Sequence, residues 1–187
     1  SDLLHDSPED ELLVVTVDGE GDGLSSSVGV FRCSDFNYRR IASSSYAESL
    51  GHFYSAVTSY LGMKALEHEY KVMGLSAYGL KDKERNPYYQ KLKKAVDTKE
   101  DGSYRLNLDY FVFHHADRMP SKKLCELLGS PVRKPESILT QRHKDIAAAL
   151  QMTLEEIMTK ILEHAYRLTG CENVVLAGGV ALNSVCN

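Results

Sequence analysis

Three short runs of apolar residues, separated by polar turns, open the chain. Residues 12–17 form a continuous aliphatic run, which is typical of a strand buried on both faces. Residues 27–32 alternate between apolar and polar positions, which predicts a second strand, and residues 38–43 predict a shorter third strand. Residues 18–23 predict the turn between the first two strands. We therefore expect an antiparallel meander, preceded by a linker at residues 1–10.

Helical periodicity dominates the rest of the chain. Residues 49–62 predict an amphipathic helix that ends at Gly62. Residues 138–169 carry the longest apolar stripe in the sequence, and Gly170 follows it where a helix would end. Shorter helices are predicted over three further ranges: 66–78, 84–97 and 121–128.

The order of the elements predicts an α/β protein. Between the two main helices lies a helical insertion, about residues 63–137, with a charged turn at 99–102 and an alternating edge strand at 104–108. A buried strand at 173–177 ends the series. A meander followed by α/β crossovers is the pattern of the ribonuclease-H-like half of the actin-type ATPase fold, and that likeness alone implies no function.

The last fifteen residues are the most informative segment. The strand at 173–177 runs into Gly178 and Gly179 and then into a helix that has barely begun at Asn187. Paired glycines let the backbone approach a ligand closely, and a helix N-terminus offers unpaired N–H groups to an anion. The glycines could equally serve only close packing of strand and helix. We expect residues 1–187 to be the central part of one domain, truncated at both ends.

Composition narrows the class of protein. A content of 43% hydrophobic and 26% charged residues is that of an ordinary globular protein able to bury a core. The net charge of −4 gives no electrostatic reason to expect nucleic acid or an anionic membrane as a partner. The four cysteines are widely spaced with no C-x-x-C pair, so we expect reduced thiols in a cytoplasmic protein.

The acidic, glycine-rich segment at 18–23 has three interpretations. Its glycines could let backbone N–H groups cradle phosphate oxygens, with Asp18 holding Mg²⁺ between the carboxylates and the phosphates. A calcium loop is a second interpretation, but the twelfth position is Gly29 instead of glutamate, and strands flank the segment. A simple Asp-Gly hairpin turn is the third.

Two further groups of polar residues have alternative interpretations. In the segment 67–75, Lys71 could reach a phosphate or carbonyl oxygen and Glu69 could accept hydrogen bonds from ribose hydroxyls. The same segment also fits a solvated helix face. His114 and His115 suggest a metal site, but neighbouring side chains on an extended chain point to opposite faces, so we expect none there.

Three segments in order resemble one family. They are residues 14–21 (VVTVDGEG), 69–79 (EYKVMGLSAYG) and 176–183 (LAGGVALN), with support from 49–58 and 145–151. Together they are similar to the O-carbamoyltransferases of the nodulation-factor, cephamycin and tobramycin type. The likeness covers nearly the whole chain and is weakest from about 97 to 135.

The resemblance implies an actin-like ATP-binding domain. Such enzymes join carbamoyl phosphate and ATP into carbamoyl-adenylate, release pyrophosphate, and pass the carbamoyl group to a hydroxyl of a sugar or antibiotic. An acyl-adenylate needs its developing charge stabilised more than it needs a protein nucleophile, and we predict no catalytic residue. The resemblance places the following residues at ATP, with Mg²⁺ as cofactor: Asp18, Gly19, Gly21, Glu69, Lys71, Gly74, Gly178, Gly179 and Asn183.

The sequence also departs from the family. Members carry a His-x-x-x-His pair, a ligand set for iron or another metal, just before the segment that aligns with residues 1–8. Neither histidine is present, and the aspartate that completes that site would lie beyond Asn187, so no metal ligand is predicted within this sequence. We therefore expect residues 1–187 alone to be inactive and able to self-associate through uncovered apolar surface.

Two other functions stay open. One is a sugar-kinase-like or hydrolytic ATPase on the same fold. The other is a non-catalytic nucleotide-binding module. The segment around Lys71 favours the transferase over both, and it does so through the resemblance.

Overall fold

The computed structural model of the protein describes residues 10–112 and 119–187. Most of the predicted linker, as well as His114 and His115, therefore lies outside the described residues. The described chain is mixed α/β, as predicted. Its elements are β1 (Glu11–Gly21), β2 (Leu24–Arg32), β3 (Asn37–Ser45), α1 (Leu50–Tyr60), α2 (Glu69–Ser76), α3 (Tyr89–Leu92), β4 (Val96–Thr98), β5 (Tyr104–Leu106), α4 (Lys122–Leu128), α5 (Gln141–Thr169) and β6 (Val174–Ala177).

The predicted meander forms, but its first turn is shorter than expected. β1 continues to Gly21, and the turn consists of Asp22 and Gly23 alone, both with positive φ (51° and 76°), which is the pattern of a type I′ hairpin. The turn prediction for 18–23 is therefore wrong for its first four residues. They continue the strand past an irregularity in its pairing with β2 after Val17.

β1 is also not buried on both faces along its length. Leu13, Val15 and Val17 are buried, whereas the residues between them are half-buried. Alternation of this kind marks a strand with one face on the core. The edges of β1 are both hydrogen-bonded, to β2 on one side and β6 on the other.

The sheet gains its fourth strand from the end of the chain. The strand order is β3-β2-β1-β6, and β6 runs parallel to β1 with Leu13 opposite Val174 and Thr16 opposite Ala177. A parallel pair requires a crossover, which here includes α5. The carboxyl ends of β1 and β6 consequently lie at the same edge of the sheet.

β6 itself is more exposed than predicted. Val174 and Val175 are each 44% exposed. The strand is the last in the sheet that the described residues form, and those residues leave both of its faces partly uncovered. The helix predicted after it is a short 3-10 turn, Gly179–Leu182.

α1 and α5 supply most of the helical side of the core. The predicted apolar stripe of α5 is buried from Ile146 to Ala165, but Leu168, its last member, is 55% exposed. A capping box between Thr140 and His143 begins the helix, and Gly170, with φ of 68°, ends it as predicted. Gly62, with φ of 71°, lies just past the end of α1.

The segment between α1 and α5 is less helical than predicted. The helix expected over 84–97 is a single turn at α3, because Val96 instead begins β4 and pairs with Leu106 of β5 in a separate two-stranded sheet. The helix expected over 66–78 is confirmed in its central part as α2, and that near 121–128 as α4. The charged turn at 99–102 joins β4 to β5.

The four cysteines, all within the described residues, form no disulfide. Across residues 10–112 and 119–187, the helices are too short or too polar to cross a membrane.

Candidate functional site

The end of β1 and the loop after β6 meet at the carboxyl edge of the sheet. Gly178 has φ of 95° and ψ of 170°, a conformation essentially restricted to glycine, and a Cβ atom there would clash with the Val17 carbonyl. A Cβ at Gly179 would lie 3.0 Å from Oδ1 of Asp18. The two glycine-containing segments, which are 160 residues apart in sequence (178 − 18), are therefore in contact.

α1 begins against the same edge. The Ser49 hydroxyl caps the helix by accepting a hydrogen bond from the His52 N–H (3.0 Å), and it donates to the Asp18 carbonyl (3.1 Å). A Cβ at Gly51 would lie 2.7 Å from the Gly19 nitrogen. The first turn of α1 therefore packs on the backbone of residues 18 and 19, and only glycine at position 51 allows this approach.

Glu69 connects α2 to α1. Its Oε1 accepts hydrogen bonds from the Ser55 hydroxyl (2.5 Å) and from the Leu66 N–H (2.7 Å). Leu66 has a positive φ of 66°, so the carboxylate stabilises a strained loop conformation before the helix. One carboxylate oxygen of Glu69 is thus already engaged within the protein.

These elements enclose a cleft of about 350 Å³. The carboxyl edge of the sheet, α1, α2 and the 3-10 turn each contribute to its walls. Apolar walls come from residues such as Tyr54, Met73, Leu154 and Val180. Five of the nine predicted site residues line it: Asp18, Gly19, Glu69, Gly179 and Asn183.

The other four predicted residues lie outside this lining. Gly178 is directly behind it, next to Gly179. Gly21 is exposed near the tip of the hairpin. Lys71 and Gly74 lie on the exposed side of α2, where the Lys71 Nζ is 3.1 Å from the His68 Nε2, whereas Tyr70 and Met73 face the cleft. Glu69 and Met73 are four residues apart, so they share one face of the helix. Lys71 and Gly74 are three residues apart and share another face.

The charged side chains among the cleft-lining residues are all acidic: Asp18, Glu67 and Glu69. Burial lowers the pKa of His52, although Glu20 and Asp18 oppose the shift. Burial raises the pKa of the Tyr54 hydroxyl. In each case burial favours the neutral form, so both side chains are neutral near pH 7. An anionic ligand in this cleft would therefore need a cation or backbone N–H groups to offset the carboxylates.

The cleft offers carboxylate oxygens, which are a ligand type that Mg²⁺ accepts. Mg²⁺ is commonly held by one or two carboxylates together with substrate phosphates, and the exposed Asp18 carboxylate can supply such a ligand. Within the part of the chain that the structure describes, no three His, Cys, Asp or Glu side chains are grouped as a metal site. The described residues therefore do not provide the iron-type site that the resemblance implies for longer family members.

A second cavity, of about 500 Å³, lies between the sheet and the carboxyl half of α5. Several serines line it, and the hydroxyls of at least two of them bond within the protein. Ser27 bonds Thr16 (2.8 Å), and Ser26 lies 3.4 Å from the Tyr104 hydroxyl. The cleft beside Asp18 is therefore the stronger candidate site.

The sequence analysis missed three residues at the cleft. Gly51 and Tyr54 both line it, yet an amphipathic pattern alone does not distinguish a glycine needed for close approach from any other small helix residue. Gln151 stands behind it as a buried polar residue of α5. It follows Leu150 directly and lies outside the predicted stripe, so the periodicity gave no signal for its burial.

Comparison with known proteins identifies relatives of the whole chain. It is 40% identical to an uncharacterised protein of Synechocystis sp. over 97% of this chain and 28% of the relative. It is 35% identical to the nodulation protein NolO of Bradyrhizobium diazoefficiens, over 95% of this chain and 29% of that protein. The figures for the nodulation protein NolNO of Sinorhizobium fredii are 33%, 95% and 24%. The chain thus spans less than a third of the length of these relatives.

A family match agrees with these relatives and covers nearly all of the sequence. Residues 5–187 match the family described as the carbamoyltransferase N-terminus. The match includes the end of β1, α2 and the loop after β6, which are three of the segments that line the cleft. The chain therefore belongs to the carbamoyltransferase N-terminus family.

Proposed function

We propose that this chain forms the ATP-binding part of an O-carbamoyltransferase. The full-length enzyme would join carbamoyl phosphate and ATP into carbamoyl-adenylate, then transfer the carbamoyl group to a hydroxyl of a sugar or antibiotic-like acceptor. Family membership supports carbamoyl transfer in general. Because ATP and carbamoyl phosphate are cytoplasmic metabolites, we place the enzyme in the cytoplasm.

The proposed fold is the ribonuclease-H-like half of an actin-like ATPase. Support comes from the strand order β3-β2-β1-β6, in which an antiparallel meander is extended by a parallel strand after a helical crossover. In open α/β sheets, ligands bind at the carboxyl ends of the strands. The cleft lies at that edge.

The contact between the end of β1 and the loop after β6 is the observation that carries the proposal. Gly19 and Gly179 both line the cleft without a Cβ, so a ligand can approach the backbone closely at both segments, where the Gly19 N–H already donates to the Asp18 Oδ1 (2.7 Å). A cation is also needed, because the lining carboxylates would repel phosphates. Bound Mg²⁺ would neutralise phosphate charge, and Asp18 is the residue that we assign to hold it.

Glu69 is assigned to the ribose. Its Oε1 is held by Ser55 and by the Leu66 N–H, which orients the carboxylate at the cleft wall. A carboxylate in that orientation is a good acceptor for hydroxyl donors. Lys71 and Gly74, on the exposed side of α2, receive no ligand contact in this proposal.

The test is release of pyrophosphate from ATP by the full-length protein with Mg²⁺. We expect release to depend on carbamoyl phosphate. Replacing Asp18 by asparagine should lower the rate at least 100-fold, by analogy with loss of one group that stabilises charge in a transition state. The matched control is Glu20→Gln, two residues along the same strand and outside the cleft lining, which should stay within twofold.

Other products would identify the alternatives. Acceptor-dependent formation of ADP would indicate a kinase, and ATP binding without turnover of carbamoyl phosphate would indicate a nucleotide-binding module. Either result would contradict the proposed transferase. Equal rates for the Asp18 and Glu20 variants would contradict the role assigned to Asp18.

A further inference from the structure

A buried amide in α5 stands directly behind the cleft. Gln151 is 2% exposed, and its neighbours in the stripe, such as Leu150 and Leu154, are also buried. Burying an amide is unfavourable unless its hydrogen bonds are made, so its partners indicate what the residue does. Gln151 does not line the cleft, although Tyr54 and Leu154 on either side of it do.

The Gln151 amide forms a reciprocal pair with the Asn183 amide. The Gln151 Nε2 donates to the Asn183 Oδ1 (3.1 Å), and the Asn183 Nδ2 donates to the Gln151 Oε1 (3.0 Å). The Gln151 Nε2 also donates to Glu155 (2.9 Å), and the Tyr54 hydroxyl donates to the Gln151 Oε1 (3.1 Å). Because a carboxylate can only accept, Glu155 fixes which end of the Gln151 amide carries the nitrogen.

Asn183 uses the same oxygen to close the chain turn that follows the 3-10 segment. Its Oδ1 accepts hydrogen bonds from the backbone N–H groups of Val185 (3.2 Å) and Cys186 (3.0 Å). Gln151 thus joins three elements: α5, the loop after β6 through Asn183, and α1 through Tyr54. The loop approaches Asp18 at Gly179, and α1 approaches Gly19 at Gly51.

We propose that Gln151 is a positioning residue that holds the loop after β6 and α1 in the arrangement that binds the nucleotide. This inference rests on the proposed function, since it assigns Gln151 a role at the same cleft. Gln151 touches no ligand. It sets the distance between Gly179 and the wall formed by Tyr54. Its loss would weaken nucleotide binding more than it weakens the fold.

The first test measures the Kd of the full-length protein for α,β-methylene-ATP by calorimetry, with the thermal unfolding midpoint measured alongside. Gln151→Leu replaces the amide by an apolar side chain that can still fill the buried space. We expect the Kd to rise at least tenfold. The matched control is Thr153→Val. Thr153 is as deeply buried in α5, but its hydroxyl donates to the Ala149 carbonyl (2.8 Å), within the same helix. That variant should lose thermal stability and keep a Kd within twofold of the wild type.

The outcomes separate the two proposals. A wild-type protein that binds no analogue would overturn the proposed function. A wild-type protein that binds, with a Gln151→Leu variant of equal Kd, would overturn only the positioning role. Parallel losses of affinity in the Gln151 and Thr153 variants would also overturn it, because a general loosening of α5 would then explain both.

A second variant keeps the test decisive if Gln151→Leu does not fold. Gln151→Glu places a carboxyl group at the same point, facing Glu155 from α5 and Tyr54 from α1. Glu69 of α2 and Cys186 at the end of the chain are the other titratable groups that act on Tyr54. When protonated, the new carboxyl can donate as the amide nitrogen did. When ionised, it has no proton to donate to the Asn183 Oδ1 or to the Glu155 carboxylate. We expect the ratio of the variant's Kd to the wild-type Kd to be at least fivefold higher at pH 8 than at pH 6. An equal ratio at both pH values would contradict the positioning role.

Discussion

At the scale of single residues, the site depends on positions where a side chain is excluded. Gly178, Gly179 and Gly51 each stand where a Cβ would press on the backbone or side chain of the β1 end. Gly74, by contrast, is predicted as part of the same site, yet a Cβ added to it would meet no atom within 4 Å on the exposed side of α2. The two kinds of glycine should respond to alanine in opposite ways.

We predict that Gly178→Ala destabilises the protein and Gly74→Ala stabilises it. Alanine at 178 must adopt φ near 95° and clash with Val17, which should cost about 1–3 kcal/mol or more and weaken ATP binding. Alanine at 74 removes a glycine from a helix at no steric cost and should add about 0.4–1 kcal/mol. Thermal unfolding and ATP-analogue affinity measured on both variants check this. A Gly178→Ala protein as stable as the wild type would contradict the geometry.

Part of the cleft lining was predicted from the sequence at this scale, since five of the nine predicted residues lie in it, and the signals for them were local. Paired glycines after an aliphatic run, and an aspartate ending another, indicate strand ends that approach a ligand. The two strand ends are 160 positions apart in sequence (178 − 18), and no local pattern predicts that they are in contact. Gln151 was missed for a related reason, since a glutamine in a helix is typical of the surface until its partner Asn183 is placed beside it.

At the scale of elements, accuracy followed the strength of the periodicity. α5, with its long apolar stripe, was predicted to within three residues of its observed start and ends at Thr169 as expected. The prediction of a helix over 84–97 was wrong beyond α3. Leu92, Ala95 and Val96 have helical spacing, but Val96 is buried because it pairs with β5. A tertiary contact of this kind overrides local pattern.

One ion-pair network connects α3 to α5. Burial alone would raise the pKa of Glu156, but hydrogen bonds from Lys93 (2.7 Å), the Tyr89 hydroxyl and Lys83 (3.2 Å) outweigh it and lower the pKa to about 2. A carboxylate whose pKa is depressed in the folded state stabilises the protein above its unfolded pKa, here about 4.5. That stabilisation is lost as the pH falls toward 2.

We predict that Glu156→Gln lowers the stability of the fold at pH 7 by about 1.5–3 kcal/mol, a typical value for hydrogen bonds to a charged group. This corresponds to a fall of roughly 5 °C in the thermal unfolding midpoint. The gap between wild type and variant should narrow as the pH is lowered from 5 to 2.5. Glu163→Gln, on the exposed side of the same helix, is the control and should leave the midpoint unchanged. A gap that stays constant with pH would show that charge on Glu156 is not its source.

At the scale of the whole molecule, several exposed apolar side chains lie near the end of the chain. Val174 and Val175 of β6 are each 44% exposed, Val185 is 45% exposed and Leu182 is 82% exposed. β6 is also the outer strand of the sheet formed by the described residues. An exposed apolar edge strand is a template for pairing with another strand. The relatives are more than three times as long as this chain, so in a full-length protein another segment could cover this surface.

We predict that residues 1–187 expressed alone self-associate through β6, with a second copy covering the exposed edge. The molar mass from light scattering should rise above 20.9 kDa as the concentration increases. Val175→Lys puts a charge on the outer strand, a device that natural sheets use against edge pairing, and should hold the mass near the monomer value. Ile138→Lys is the matched control, since Ile138 is 85% exposed but lies before α5, away from the sheet edge, and this variant should associate as the wild type does. If both lysine variants reduce association equally, general solubility explains the effect, and the edge of β6 is not the contact surface.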